Sequence, residues 1–399
     1  MSGRRSATRD RLRVAFYLDS PEVGGAELFL RSLLGSLDRR IEPRLLAVDE
    51  AVAREVGSSR PGLDTVLVPP VRGRGDVRHL SAHSRALRQL GADVVHVNQR
   101  HVWVGQYGWL AARLARLPAV GVVHGVFPHA SESQRILSIT LAHGVDRFVG
   151  VSHFAADAIE AMLKVPRRRV VTIPNGVAGV AGVADGAVVP VAERDPRLVA
   201  VVGRLAPEKG VDVLLAALSA VPGCDLVVVG DGPERTRLEE QAVALGQAGR
   251  VRFVGWRSDP WALRPAPSVV VVPSRRDAAP LVVLEAMQRA LPVVASNVGG
   301  IGELVGADTG VLVQPDDATA LAAALRSLLD QPARLVAMGR RAAERAKAEF
   351  GLEAMAQRYT DLYHEVAGRP LAGGRVAPPE GAPAMGGWAR RVPAPPGSA

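Results

Sequence analysis

The feature that most constrains this chain is a rhythm. Short β-rich apolar runs alternate with longer segments of helical period, once through residues 14–174 and again through residues 198–313. Such alternation builds parallel sheets, because two neighbouring strands that run the same way need a long crossover between them, and a helix supplies it. In the first half strands are expected at 14–18, 45–48, 65–68, 94–97, 120–124, 148–151 and 170–173, with helices such as 26–37 and 154–163 between them. In the second half they are expected at 198–202, 226–229, 251–254, 269–272, 293–295 and 311–313. Helices over 318–330 and 332–350 and an amphipathic segment over 352–366 follow.

Between the two rounds, residues 176–196 read GVAGVAGVADGAVVPVAERDP, without a clean period and with Gly and Pro at both ends, as an inter-domain connection does. A chain of 399 residues also exceeds what one hydrophobic core usually organises. The expected organisation is a basic extension 1–12, a first domain 13–178, a linker 179–196, a second domain 197–350, a closing amphipathic segment 351–367 and a tail 368–399. The tail is rich in Pro, Gly and Ala and reads as largely disordered. Two such sheets joined by one linker imply a cleft facing the C-terminal ends of the strands, where ligands of open α/β sheets bind.

Composition narrows the function classes. The single cysteine, Cys224, forms no internal disulfide, and no spaced Cys/His set fits a zinc site, so a reducing compartment is expected. The start is basic but lacks the apolar segment of a secretory signal, and the apolar runs elsewhere are too short to span a bilayer, so the expected location is the cytoplasm. The net charge of +9 comes almost wholly from Arg. No basic stretch is interleaved with aromatics, so the charge reads as compositional bias and nucleic acid is not an expected partner.

Four places carry chemistry. Gly24 and Gly25 stand between the first strand and the first helix, where bare backbone N–H groups at a helix start can meet a phosphate or a sugar oxygen; a plain tight turn is the alternative. Arg204 and Lys209 leave the first strand of the second half and can converge on one anion, a diphosphate above all, with surface pairing to Glu208 as the alternative. Asp277 and Glu285 flank a helix start; carboxylates accept from sugar hydroxyls, and one of them can hold both O–H groups of a ribose. A helix cap for Asp277 and a solvated face for Glu285 are the plain readings. His124, at a strand end, is the histidine best placed in the cleft. His79 and His83 share a helix face without a third metal ligand and are expected to be exposed. His96, His101, His129 and His153 read mainly as structural, with an acceptor contact as the other reading. No D-x-D occurs, so neither metal nor cofactor is expected, and the leaving-group charge falls to Arg204, Lys209 and helix N-termini.

With these segments in hand, the chain resembles the retaining glycosyltransferases of family 4, whose GT-B fold is α/β with two facing Rossmann-like domains. The resemblance rests on ordered co-occurrence: Gly24-Gly25-Ala26-Glu27, Val151-Ser152, Ile173-Pro-Asn175-Gly176, Gly203-Arg204 through Glu208-Lys209-Gly210, Val229-Gly230-Asp231-Gly232-Pro233, Phe253-Val-Gly255, Leu284-Glu285-Ala-Met287 and Gly299-Gly300. It implies a catalytic set of His124, Arg204, Lys209 and Asp277. The implied donor-binding set is Gly24, Gly25, Arg204, Lys209, Asp277, Leu281, Val282 and Glu285, with the diphosphate on Arg204 and Lys209, the ribose on Glu285, Gly24 and Gly25 approaching the donor phosphate and the acceptor, and His124 against the transferred sugar. It further implies that the second domain binds the nucleotide sugar, that the first faces the acceptor and that the last helix crosses back onto the first domain. The expected reaction moves a hexose-type sugar, UDP-linked in preference to GDP-linked, to a small-molecule or lipid-linked acceptor. A peripheral membrane contact goes with the lipid-linked case. The family's first glutamate appears here as Asp277, followed by Ala278-Ala279 instead of Gly-Phe, which reshapes the sugar pocket. The alternatives are a nucleotide-sugar epimerase of the same fold, told apart by donor isomerisation without acceptor, and a non-catalytic nucleotide-sugar binding protein, told apart by binding without turnover.

Overall fold

The computed structural model describes residues 11–73, 75–179 and 193–368. Most of the basic extension, residues 180–192 of the linker and the tail beyond residue 368 lie outside the described residues.

The first sheet contains β1 Leu12–Leu18, β2 Ile41–Ala47, β3 Asp64–Leu67, β4 Val94–Gln99, β5 Ala119–Val123, β6 Arg147–Gly150 and β7 Val170–Thr172, in the order β3-β2-β1-β4-β5-β6-β7. The second contains β8 Leu198–Val202, β9 Asp225–Val229, β10 Val251–Gly255, β11 Val269–Val272, β12 Val293–Ser296 and β13 Gly310–Val313, in the order β10-β9-β8-β11-β12-β13. Every pairing is parallel. Strands buried on both faces read as continuous apolar runs. In β1, Val14, Phe16 and Leu18 pack into one core cluster while Ala15 and Tyr17 enter another on the opposite face.

The largest departure from the expected boundaries is β2, which begins at Ile41 although residue 43 is proline. Pro43 pairs with Val14 on one side and stands beyond the end of β3 on the other, so its missing N–H withdraws no ladder bond there.

The helix Pro332–Glu349 packs on the second sheet through Leu335, Met338, Ala342 and Ala346. Beyond it the chain turns beside the segment that leaves the first domain: Val177 N–H donates to Phe350 O (3.0 Å), and Leu352 N–H to Val177 O (3.2 Å). The helix Leu352–Val366 then lies on the first domain. Its Leu352, Met355, Ala356, Tyr359, Leu362 and Tyr363, spaced for one helical face, are buried with β1 and the helix Gly25–Ser36. This is the architecture expected, two Rossmann-like domains with a helix crossing back.

Direct contacts hold the lobes together. Both oxygens of Glu303 accept backbone N–H groups, from His153 (2.8 Å) and Phe154 (2.8 Å), at the start of the helix His153–Leu163 in the first domain. Asn175 Nδ2 donates to Ala279 O at 2.9 Å. In both sheets the strand order reverses once, between β1 and β4 and between β8 and β11, and loops leaving two such strands diverge to open a crevice.

Candidate functional site

The crevice of the second sheet is built by the loops after β8 and β11. Gly210 takes a left-handed conformation (φ 64°), and a Cβ there would sit 2.0 Å from Pro273 O, so only glycine lets the loop after β8 lie against the end of β11. That approach puts Lys209 Nζ 2.6 Å from Asp277 Oδ2, with side-chain exposures of 32% and 12%. The Asp277 loop is clamped from its other side. Gly299 also has a left-handed φ of 56°, its Cβ would stand 1.7 Å from Asp277 O, and Gly300 N–H donates to that same carbonyl at 3.3 Å.

Two plain readings fall here. Asp277 is no helix cap, because the helix Leu281–Gln288 starts after Pro280 with no side-chain cap. Lys209 pairs with Asp277 rather than Glu208, and the Glu208 carbonyl accepts from Arg275 N–H (2.8 Å). Arg204 and Lys209 line one small hollow together with Val272, Ser274 and Val282. Arg204 also faces the other lobe, with Nη2 3.9 Å from Glu22 Oε2.

Glu285 is half-buried and does not line that hollow. It is oriented by Trp261, whose Nε1 donates to Glu285 Oε2 at 3.0 Å, and Trp261 is in turn covered by the Arg289 guanidinium 4.8 Å from the ring centroid. The solvated-face reading of Glu285 therefore fails. Leu281 packs against core clusters of both lobes, so its side chain serves the seam between them.

In the first lobe, Gly24 precedes the helix Gly25–Ser36, and Glu27 Oε2 accepts from Gly24 N–H at 2.8 Å, the backward half of a capping box. A Cβ on Gly24 would stand 2.8 Å from Arg100 Nη2, whereas one on Gly25 would meet nothing within 4 Å, so Gly25 presents open backbone. His124 follows β5, its ring 4.5 Å from Phe29. Asn98 Nδ2 donates to Ala26 O (3.1 Å), so its Oδ1 faces His124 Nε2 at 2.8 Å as an acceptor. His124 thus carries its proton on Nε2 and offers a bare Nδ1. Burial pushes its pKa down to about 3, so the ring is neutral at physiological pH.

The remaining histidines separate. His83 is buried, against expectation: its ring nitrogens meet Tyr17 OH (3.0 Å) and Pro69 O (2.7 Å), because the helix face it shares with His79 packs on the sheet. His79 Nδ1 meets Asp76 Oδ2 at 2.8 Å. His96 lies wholly under the crossing helix, with Nδ1 2.7 Å from Tyr363 OH. His153 contributes its backbone to the Glu303 contact.

Four residues at or beside the cleft were not singled out from the sequence: Asp19, Arg100, Trp261 and Glu303. Asp19 and Arg100 immediately follow β1 and β4, the strands flanking the crevice, so strand order would have found them had it been legible. Burial pushes the Asp19 carboxyl up to about 6, Glu27 adds to the effect, and backbone N–H bonds including that of Gly105 oppose it. Among the described residues no His, Cys, Asp or Glu cluster is placed to hold a metal, and no helix is long and apolar enough to cross a membrane.

Comparison with known proteins adds to this geometry. The profile of Glycosyl transferases group 1 matches residues 189–345, and that of Glycosyltransferase Family 4 matches residues 23–178. The chain is 31% identical over 304 residues to a glycogen synthase of Mycobacterium tuberculosis, covering 69% of this chain and 71% of the relative. It is 30% identical over 314 residues to a D-inositol 3-phosphate glycosyltransferase of Corynebacterium efficiens, covering 71% and 73%. In fold it is similar to Anabaena HepE in complex with UDP-glucose, with a TM-score of 0.76 at 21% identity over 89% of this chain and 100% of that one.

Proposed function

The chain belongs to the glycosyltransferases of the GT-B fold, and from that premise we propose that it is a retaining family 4 hexosyltransferase. Its donor is a nucleotide diphosphate sugar, UDP-linked in preference to GDP-linked, and transfer to an acceptor hydroxyl proceeds without a metal. The observation that carries this reading is the pairing of Lys209 with Asp277 in the crevice of the second sheet, with Arg204 on the same loop turned toward the other lobe. Two cations on one short loop suit a diphosphate, Arg as a planar fork and Lys as a compact charge. UDP and UDP-glucose in complexes of HepE, which has the same fold, support the choice of donor.

In this reading Arg204 and Lys209 hold the diphosphate and stabilise the negative charge that grows on it as the glycosidic bond breaks. Glu285, steadied by Trp261, takes the ribose hydroxyls. Asp277 holds Lys209 in place and borders the sugar. The bare Nδ1 of neutral His124 accepts from a sugar hydroxyl. The acceptor hydroxyl attacks from the face the diphosphate leaves, and its proton passes to the leaving phosphate. The protein's contribution is then alignment and charge stabilisation.

A thermal-shift panel of nucleotide sugars, followed by NMR of the product's anomeric signal with and without chelator, tests the reading. Stabilisation by a UDP-sugar, an anomer that matches the donor and insensitivity to chelator are expected. An inverted anomer, or a panel with no response, would refute it.

A further inference from the structure

Behind the pair of Lys209 and Asp277 stands an arginine that does not line the crevice. Arg275 lies two positions before Asp277 in the loop after β11, and its side chain is 29% exposed. Its guanidinium donates four hydrogen bonds. Nη1 and Nη2 grip Asp212 as a fork, at 2.9 Å to Oδ1 and 2.7 Å to Oδ2, while Nη1 also reaches Pro207 O at 2.6 Å and Nε reaches Asp316 Oδ1 at 2.6 Å. Pro207 opens the 3₁₀ turn Pro207–Lys209, Asp212 lies in the first turn of the helix Val211–Leu218, and Asp316 follows β13. The Arg275 backbone N–H takes the next carbonyl of that turn, Glu208 O, at 2.8 Å. One arginine therefore joins the loops that leave β8, β11 and β13.

A planar fork of five N–H donors holds several acceptors at fixed angles, which a compact ammonium does not. Burial by itself would raise the Asp212 carboxyl, but the hydrogen bonds and charge of Arg275 hold it below its ordinary value. Asp316 keeps a left-handed φ of 58°, a conformation that costs energy in a residue with a Cβ, so this contact is held against the preference of the backbone. Two successive carbonyls of the turn that ends in Lys209 are bound by Arg275, one by its side chain and one by its backbone, and Asp277 rides on the same loop as Arg275. Ser274 lines the hollow with Arg204 and Lys209, whereas Arg275 lies outside it. We propose that Arg275 is a positioning residue for the transfer: it sets where the Lys209 ammonium stands against Asp277, and so against the donor diphosphate. The role rests on the reading that Lys209 holds that diphosphate.

A double-mutant cycle separates positioning from plain support of the fold. Calorimetric titration with UDP, which needs no acceptor, is run on the full chain, Arg275→Gln, Lys209→Ala and the double variant, with a thermal melt of each. Lys209→Ala should weaken UDP binding about tenfold or more, the worth of a hydrogen bond to a charged group, and Arg275→Gln should reproduce most of that loss by displacing the same ammonium. In the Lys209→Ala background Arg275→Gln should cost less than about twofold more, because the group it places is gone. Asp316→Gly removes the outer anchor and the left-handed strain together, so UDP should bind severalfold more weakly while the melting temperature holds or rises. Losses that multiply in the double variant, or an Arg275→Gln protein with wild-type affinity, would overturn the proposal, since support of the fold does not depend on Lys209. If Arg275→Gln does not fold, Asp316→Gly decides, and unchanged affinity there rejects the idea. Absence of UDP binding by the wild-type protein, or undiminished binding by Lys209→Ala, would remove the donor reading and this role with it, whereas multiplied losses beside a weakened Lys209→Ala remove only the role of Arg275.

Discussion

Lys209 Nζ lies 2.6 Å from Asp277 Oδ2 although 68 positions separate the two residues, and each belongs to a different loop leaving the second sheet. The contact exists because β8 and β11 are neighbours while the chain makes two further strands between them. It holds the ammonium at the mouth of the crevice, where a diphosphate can take it over.

Lys209→Ala is expected to lower turnover by about a hundredfold or more, as the loss of a charge-stabilising donor does. The melting temperature should change little, since the Lys209–Asp277 pair is partly solvated. Steady-state kinetics beside a thermal melt checks both, and full activity in a folded Lys209→Ala protein would remove this residue from the mechanism.

Trp261 fixes Glu285 through one hydrogen bond of 3.0 Å. Trp261→Phe keeps the ring under Arg289 and removes only that donor. The expected result is a donor KM raised about tenfold or more, the worth of one hydrogen bond to a charged group, with kcat nearly unchanged. A fall in kcat at constant KM would mean that Glu285 acts on the reacting sugar rather than on the ribose.

Asp19 makes a pH-dependent prediction. Its carboxyl is raised from 3.8 to about 6, so the folded state holds that proton more tightly than the unfolded chain. The stabilisation this gives is present below 3.8 and is lost as pH rises through about 6, leaving a partly desolvated carboxylate as a cost at neutral pH. Asp19→Asn should therefore raise the melting temperature by about 2 °C or more at pH 7.5 and have little effect at pH 4. Equal shifts at both pH values would contradict the raised carboxyl.

Glu303 bonds the first two N–H groups of the helix His153–Leu163, while Ser152 Oγ takes the third, from Ala155 at 3.1 Å. Because the carboxylate comes from the other lobe, Glu303→Ala should cost about 1 kcal/mol, as loss of a cap does, and should also loosen the contact between lobes. Differential scanning calorimetry measures the first, and the radius of gyration in small-angle scattering the second. A scattering profile identical to wild type would show that other contacts alone hold the lobes in place.

Much of the candidate site was legible one residue at a time. Arg204, Lys209, Asp277 and Glu285 each announced themselves by charge at the boundary of a strand and a helix, and the ordered glycine motifs tied them to one fold. Asp19 and Arg100 did not stand out, because a lone acid or base after a strand is ordinary until the order of strands is known. Trp261 and Glu303 were silent for a related reason: their partners, Glu285 and the start of a helix in the other lobe, are distant in the chain.

The sequence by itself determined the local structure, since backbone propensity and the alternation of apolar runs act over a few residues. It also determined the loops that carry charge and the glycines those loops require, at Gly210 and Gly299 among others. Only the tertiary structure decided which loops face each other. Strand order is chosen by packing across the whole sheet, and it alone set Lys209 against Asp277, Arg100 beside Glu22, and Glu22 between the arginines of two lobes.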